Sequence, residues 1–152
     1  MAVSGTIHSS AGLIEAIAGI LVAFYVSKKD ARRMIVSVCG VVIVITSIAM
    51  LMTGSLLLLI LINMFHGFGW AFFPIILSMP FGLKGIKPRE IAVAVVFLEL
   101  NYWAGAAIGP VLAGFLQEMT HSLTTALIVT SMFGISLPLA ALKLPKQRSI
   151  DS

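Results

Sequence analysis

Glu15, His66 and Glu99 each lie within a long apolar stretch of the sequence. Ionisable side chains are costly in a lipid bilayer, and those that occur there often mark a pathway for protons or solutes. A carboxylate can bind a proton or a cation, and an imidazole can exchange protons near neutral pH. The three residues are therefore candidates for such a pathway, and a hydrogen-bonded packing role is the alternative for each.

The neighbours of these residues also follow helical spacing. Glu15 shares one helical face with small or aliphatic residues, namely Ala11, Ala18, Gly19 and Val22. A second stripe consists of Asn63, His66, Gly67, Trp70 and Pro74. Neither face favours contact with lipid, so both are predicted to face other helices or a water-filled cavity.

The residues around Glu99 form two adjacent helical faces. One face carries Glu99, Tyr102, Trp103, Ala106 and Pro110. The other carries Asn101, Gly105 and Gly109, with the spacing of small residues that lets membrane helices approach closely. We expect the first face to line a cavity and the second to pack on a helix, while Pro110 permits a bend that serves gating or is fixed by packing. Glu99, with Glu15 and His66 as partners, is predicted to contribute to a solute or proton site.

Composition identifies the elements that hold these residues. Hydrophobic residues make up 59% of the chain, charged residues only 11%, and the mean hydropathy is +1.08. A soluble domain carries about a quarter charged residues, so the composition predicts an all-α, polytopic membrane protein. All ten Lys and Arg residues fall in three clusters, at positions 28–33, 84–89 and 143–148. Basic loops face the cytoplasm, so these clusters predict the orientation of the chain.

The apolar stretches between the turns predict five membrane-spanning helices in a single transmembrane domain over residues 1–152. A helix needs about 20 apolar residues to cross the hydrocarbon core. The predicted spans are residues 9–27, 34–52, 56–79, 91–116 and 123–142. With the carboxyl terminus in the cytoplasm, five crossings place the amino terminus outside. Residues 1–27 contain no Lys or Arg, so the first apolar segment is predicted to be a retained span rather than a cleaved signal peptide.

Several classes of protein do not fit these patterns. Cys39 is the only cysteine, so no disulfide within the chain and no cysteine-based metal site is expected. The sequence has no H-E-x-x-H motif, no nucleophile-base pairing and no glycine-rich phosphate loop, so an enzyme, a bound metal and a cofactor are not expected. The net charge of +4 comes from the basic loops and does not imply a nucleic-acid partner.

One segment is similar to a known family. Residues 105–114, Gly-Ala-Ala-Ile-Gly-Pro-Val-Leu-Ala-Gly, resemble the G-x-x-x-G-P-x-x-x-G pattern in the eleventh helix of the major facilitator superfamily. Residues 85–92 also resemble the loop that precedes that helix. In this register the five spans correspond to helices eight to twelve, and Gly105, Gly109, Pro110 and Gly114 are implied to serve packing and gating. Ala23 stands where the family often has an aspartate in the motif that follows its eighth helix.

The resemblance implies secondary active transport of a small solute, with or without protons, by alternating access between two six-helix halves. This chain would supply most of the carboxyl-terminal half. We therefore expect its partners to be the lipid bilayer, the solute, and either a missing amino-terminal half or another membrane subunit. The expected location is the plasma or cytoplasmic membrane. The predicted pathway residues are Glu15, Asn63, His66, Trp70, Glu99, Tyr102 and Trp103.

Two other functions are compatible with the same residues. Small multidrug resistance proteins place a lone glutamate in the first span, as Glu15 is placed here, and act as oligomers. Five spans and the Gly-Pro segment count against that alternative. The other alternative is a membrane protein that assists assembly and transports nothing, in which the polar stripes only hold helices together.

The charge pattern predicts a topology that cysteine labelling can test. In a Cys39→Ala background, single cysteines at Gly54 and Lys87 should react with a membrane-impermeant reagent from opposite sides of the membrane, because Lys87 lies in a basic cluster and Gly54 in an uncharged turn. Right-side-out and inverted vesicles provide the two measurements. Labelling of both positions from one side would contradict the predicted topology.

Overall fold

The regular secondary structure of the described residues consists of helices. A computed structural model describes residues 2–28, 31–82 and 85–144, so part of the predicted loop at 81–90 and the tail beyond 144 lie outside the described residues. These residues form seven α-helices: α1 Ala2–Lys28, α2 Arg32–Met52, α3 Leu56–Gly69, α4 Phe73–Ser78, α5 Pro88–Thr120, α6 Leu123–Met132 and α7 Ser136–Lys143. Short 3-10 turns occupy Trp70–Phe72, Met79–Gly82 and Phe133–Ile135.

Prolines explain the breaks in the helical segment Leu56–Gly82, which we call the third span. Pro74 has no N–H to donate to the carbonyl of Trp70, four residues earlier. The Phe73 N–H donates to that carbonyl instead, which tightens the backbone into the 3-10 turn. Pro80 acts similarly, because the Met79 N–H donates to the carbonyl of Ile76. The span was predicted to stop near Pro80, and its 3-10 turn continues to Gly82.

The helix α5 is continuous over 33 residues and passes through Pro110. It begins with Pro88 in its first turn, and the Lys87 N–H donates to Glu90 Oε2 at 2.9 Å. It ends at Thr120, and the next residue, His121, has a left-handed φ of 52°. Ser122 then caps α6, because its Oγ accepts a hydrogen bond from the Thr125 N–H at 3.2 Å.

The helix α2 lies at the centre of the packing. It contacts the third span on one side and α6 and α7 on another, while α1 packs on the third span and α5 packs on α6. The buried core joins α2, the Trp70–Phe72 turn and α7 through Val36, Cys39, Phe72 and Ala141. Arg33 Nε also donates to the carbonyl of Leu144 at 2.6 Å, which links the start of α2 to the end of α7.

Close helix approach depends on glycines outside the predicted α5 seam, and one of them, Gly67, lies on the stripe that was predicted to face another helix or a cavity. A Cβ built on Gly67 of α3 would collide with the backbone of Ala11 in α1, 3.1 Å from its Cα. A Cβ on Gly40 of α2 would lie 2.6 Å from Pro138 Cδ. Because both positions are already filled by neighbouring atoms, the helices can approach this closely only where glycine stands.

The predicted seam on α5 makes no contact with another described element. A Cβ built on any of its glycines would have no heavy atom within 4 Å outside its own helix; these are Gly105, Gly109 and Gly114. Their role in packing therefore stays a prediction, and it requires a partner other than the described residues of this chain. The same holds for a gating role of Pro110, which is exposed within α5.

Large apolar side chains cover the outside of the helices. None of the residues of α5 is buried, and Val111 is 72% exposed. Four segments are long and apolar enough to cross a bilayer: Arg32–Met52, Leu56–Gly82, Pro88–Thr120 and Leu123–Lys143. The apolar part described in α1, Ala11–Tyr25, is shorter, so a fifth crossing stays a prediction.

The glycine contacts give a paired test of packing. Gly67→Ala should lower the free energy of unfolding by about 1–3 kcal/mol, because the added methyl group would overlap the backbone of Ala11. Gly109→Ala is the matched control, since it makes the same chemical change within a helix in open space. Unfolding of both variants in mixed detergent and SDS measures the difference. Equal stabilities would show that the approach of α1 and α3 is not tight.

Candidate functional site

Five helical segments line a partly open cavity of about 570 Å³ that has both polar and apolar walls. This volume lies within the range of about 300–1,000 Å³ that is typical of small-molecule sites. α1, α2 and the third span form most of the wall, and α5 and α6 contribute one and two residues respectively. The lining residues are Ala11, Gly12, Glu15, Ser47, Met50, Leu51, Asn63, His66, Gly67, Trp70, Tyr102, Leu127 and Ser131.

The cavity brings together most of the residues proposed from the sequence for a solute or proton pathway. Those that line it are Glu15, Asn63, His66, Trp70 and Tyr102. Glu99 and Trp103 do not line it. Tyr102 is the residue of α5 in the lining, and its ring meets that of Trp70 in the third span.

Hydrogen bonds hold His66 on both sides of its ring. Trp70 Nε1 donates to His66 Nε2 at 3.2 Å, and His66 Nδ1 lies 2.9 Å from Thr46 Oγ1. An indole N–H can only donate, so Nε2 must be the acceptor and Nδ1 carries the proton of the neutral ring. Thr46 accepts from Nδ1 and donates to the carbonyl of Val42 at 2.6 Å. Every donor in this chain of bonds therefore meets an acceptor.

The arrangement bears on a proton-exchange role for His66. An imidazolium carries N–H groups on both nitrogens, so a second proton at Nε2 would point at the N–H of Trp70. Proton uptake would thus require the indole to leave its present position. The hydrogen bonds shown here are those of a neutral histidine that fixes Trp70 and joins the third span to α2.

Aromatic contacts continue from Trp70 toward α5. The rings of Trp70 and Tyr102 meet edge to face, with centroids 6.1 Å apart and planes at 88°. The ring centroid of Tyr102 also lies 5.1 Å from that of Phe73 and 5.3 Å from that of Trp103. Such pairs attract through their ring quadrupoles, so the cluster stabilises the position of α5 beside the third span.

Sequence reasoning missed three hydroxyl residues at the site. Thr46 is only 8% exposed and anchors His66, while Ser47 and Ser131 line the cavity. The positions of these residues in the sequence do not indicate a site, because single Ser and Thr residues in a helix often hydrogen-bond only to the backbone of their own helix. Among the described residues, no three of the types His, Cys, Asp and Glu are grouped so as to hold a metal ion.

The fold and the site define the class of the protein. Exposed apolar surfaces and helices long enough to cross a bilayer are the features of an integral helical membrane protein. No protein-family model, no curated protein and no solved structure matches this chain. Its function must therefore be argued from the cavity and from the pattern of the sequence.

The threonine anchor makes a specific prediction. Thr46→Val should lower the free energy of unfolding by about 0.6–1.7 kcal/mol, the range for hydrogen bonds between membrane helices, because His66 Nδ1–H loses its acceptor. Thr46→Ser keeps the hydroxyl and should lose less. Unfolding in mixed detergent and SDS compares the two. A Val variant that is as stable as the Ser variant would show that the hydroxyl contributes no net stability.

Proposed function

We propose that this chain forms part of a secondary active transporter that moves a small solute across a membrane by alternating access. The convergence of Glu15, Asn63, His66, Trp70 and Tyr102 on one cavity is the observation that carries the proposal. These residues come from three helical segments far apart in sequence. Apolar residues would fill such a space at lower cost if its only purpose were packing.

The break in the third span beside the cavity also supports a transport function. Secondary transporters bind solutes near the middle of the bilayer, between helices that move relative to one another. His66 and Trp70 lie at the point where the third span changes from α-helix to 3-10 turn. Interrupted helices of this kind are a feature of solute sites in transporters, because their backbone can change conformation locally.

The resemblance of residues 105–114 to the major facilitator superfamily supports the same function. In that family two halves enclose the solute, so this chain would act with an amino-terminal half or with another membrane subunit. The uncovered glycine face of α5 supports a partner of this kind, since small residues allow a helix to approach closely there. We further propose a plasma or cytoplasmic membrane location, with the carboxyl terminus in the cytoplasm and the amino terminus outside.

Proton coupling, if present, would use a carboxyl group. Glu15 is the lining residue with a carboxyl group, and its exchange between buried and hydrated surroundings would change its proton affinity. His66 is less suited to that role while Trp70 and Thr46 occupy both of its nitrogens. Glu99 stays a candidate only if a partner completes a second polar region beside α5.

Access of water to the cavity is the feature that tests the proposal. Ser47→Cys in a Cys39→Ala background should react with a charged, membrane-impermeant thiol reagent, because thiol reaction requires the hydrated thiolate. Ile45→Cys, two residues away on the 60% exposed and lipid-facing side of α2, is the matched control and should be unreactive. Vesicles of both orientations show from which side the cavity opens.

Equal lack of reaction at both positions would contradict the proposal. It would mean that the interior is dry, which is what the assembly-factor alternative requires. Reaction at Ser47→Cys with none at Ile45→Cys supports a hydrated pathway that a solute can enter.

A further inference from the structure

The charge of the cavity points to the class of solute. Glu15 contributes a carboxyl group to the lining, and none of the lining residues is Lys or Arg. All Lys and Arg residues of the sequence fall in the clusters at 28–33, 84–89 and 143–148, and none of the described residues that line the cavity belongs to these clusters. An ionised carboxylate in a site of low dielectric is stabilised most by a cation.

The hydrogen-bonding capacity of the lining has the same bias. Trp70 Nε1–H is donated to His66, His66 Nδ1–H to Thr46, and Ser131 Oγ–H to the carbonyl of Leu127 at 2.8 Å. Three of the hydrogen-bond donors in the lining are thus engaged within the protein, while the hydroxyl and amide groups of Ser47, Asn63 and Tyr102 also line the cavity. A solute that brings its own N–H donors suits the carboxyl group of Glu15, because an ionised carboxylate only accepts hydrogen bonds.

Aromatic rings supply the remaining part of the site. Trp70 and Tyr102 both line the cavity, and their planes are almost perpendicular at 88°. Cations are attracted to the faces of such rings when they lie within about 6 Å of the centroid. The thioether of Met50 and the side chains of Leu51 and Leu127 provide apolar contact for the rest of a molecule.

We propose that the cavity binds a monovalent organic cation, such as a protonated primary amine with an apolar or aromatic body. Glu15 is the counter-ion, while Trp70 and Tyr102 contact the charged and apolar parts of the ligand. The volume of about 570 Å³ accommodates a molecule of that kind. This inference rests on the proposed function, because it names the substrate class of the same site.

Tryptophan fluorescence provides a direct assay of binding in the full chain. The sequence contains two tryptophans, so Trp103→Phe leaves Trp70, in the cavity wall, as the one reporter. The probes are three molecules of similar shape at pH 7: 2-phenylethylamine as the cation, 2-phenylethanol as the neutral analogue and phenylacetate as the anion. Titration into protein in lipid nanodiscs measures the affinity of each probe.

The amine should change Trp70 emission saturably and bind at least about tenfold more tightly than the alcohol. The difference in affinity between the amine and phenylacetate should be larger still. Glu15→Gln should remove most of that preference while leaving alcohol binding unchanged. Glu118→Gln, at the far end of α5 and outside the cavity, is the matched control and should keep the preference. Radiolabelled amine bound to the chain that retains both tryptophans checks the ranking without the Trp103 substitution.

The outcomes separate this inference from the function on which it rests. Saturable binding of the alcohol or of phenylacetate as tightly as the amine would overturn the cation assignment and leave a solute site in place. An amine preference that survives Glu15→Gln would also overturn it. If none of the probes binds saturably and Ser47→Cys is unreactive, both the cation assignment and the proposed transport function fail.

Discussion

The constraint on which this structure depends is that hydrocarbon offers no hydrogen-bond partners. Polar groups within the spans must therefore be satisfied inside the protein or by water in a cavity. His66 meets this requirement through Trp70 and Thr46, and in doing so fixes the rotation of α2 relative to the third span. That rotation turns Ser47, beside Thr46, toward the cavity and leaves Ile45 exposed on the outside. One chain of hydrogen bonds thus determines which faces become wall and which meet lipid.

Pro74 of the third span acts beside this chain of hydrogen bonds. Pro74 releases the carbonyl of Trp70 from the usual helical bond, and the resulting 3-10 turn begins at the residue whose indole reaches back to His66. Pro74 also packs against α1, since its Cγ lies 3.2 Å from a Cβ built on Gly19. The residue that interrupts the helix therefore also contributes to the contact with α1. A local change in this turn would be felt at the cavity and at the interface with α1 together.

Helical periodicity predicted which residues of the third span face the interior. It does not predict how neighbouring helices are rotated relative to one another. Hydropathy predicted five spans, and four segments of the described chain are long and apolar enough to cross a bilayer, because length and composition alone determine whether a helix can cross. The stripe of Asn63, His66 and Trp70 was predicted to face inward, and it lines the cavity. Glu99 shares a broad face with Tyr102 but does not line the cavity, so its part in a solute or proton site stays a prediction.

Contacts between helices were the hardest features to predict from the sequence. The Gly105 and Gly109 spacing is a recognised small-residue pattern, but a Cβ built on either glycine would meet no other described helix. The closest approaches lie at Gly67, on a stripe that was predicted to face inward, and at Gly40, which was not predicted as a contact. Spacing along one helix predicts that a close approach is sterically possible and does not say whether a partner is present. Thr46 and Ser131 were missed for the same reason, since their roles depend on what α2 and α6 face.

The central claim is that the polar cavity is hydrated and open to small molecules within a lipid-embedded bundle. Nitroxide labels at Ser131 and Val129 of α6, each in a Cys39→Ala background in nanodiscs, test it most directly by electron paramagnetic resonance. Ser131 lines the cavity and Val129 is 41% exposed on the outside. The account predicts that a water-soluble nickel chelate relaxes the label at 131 strongly and the label at 129 weakly, with oxygen showing the reverse. Labels at both positions that respond to oxygen alone would contradict it.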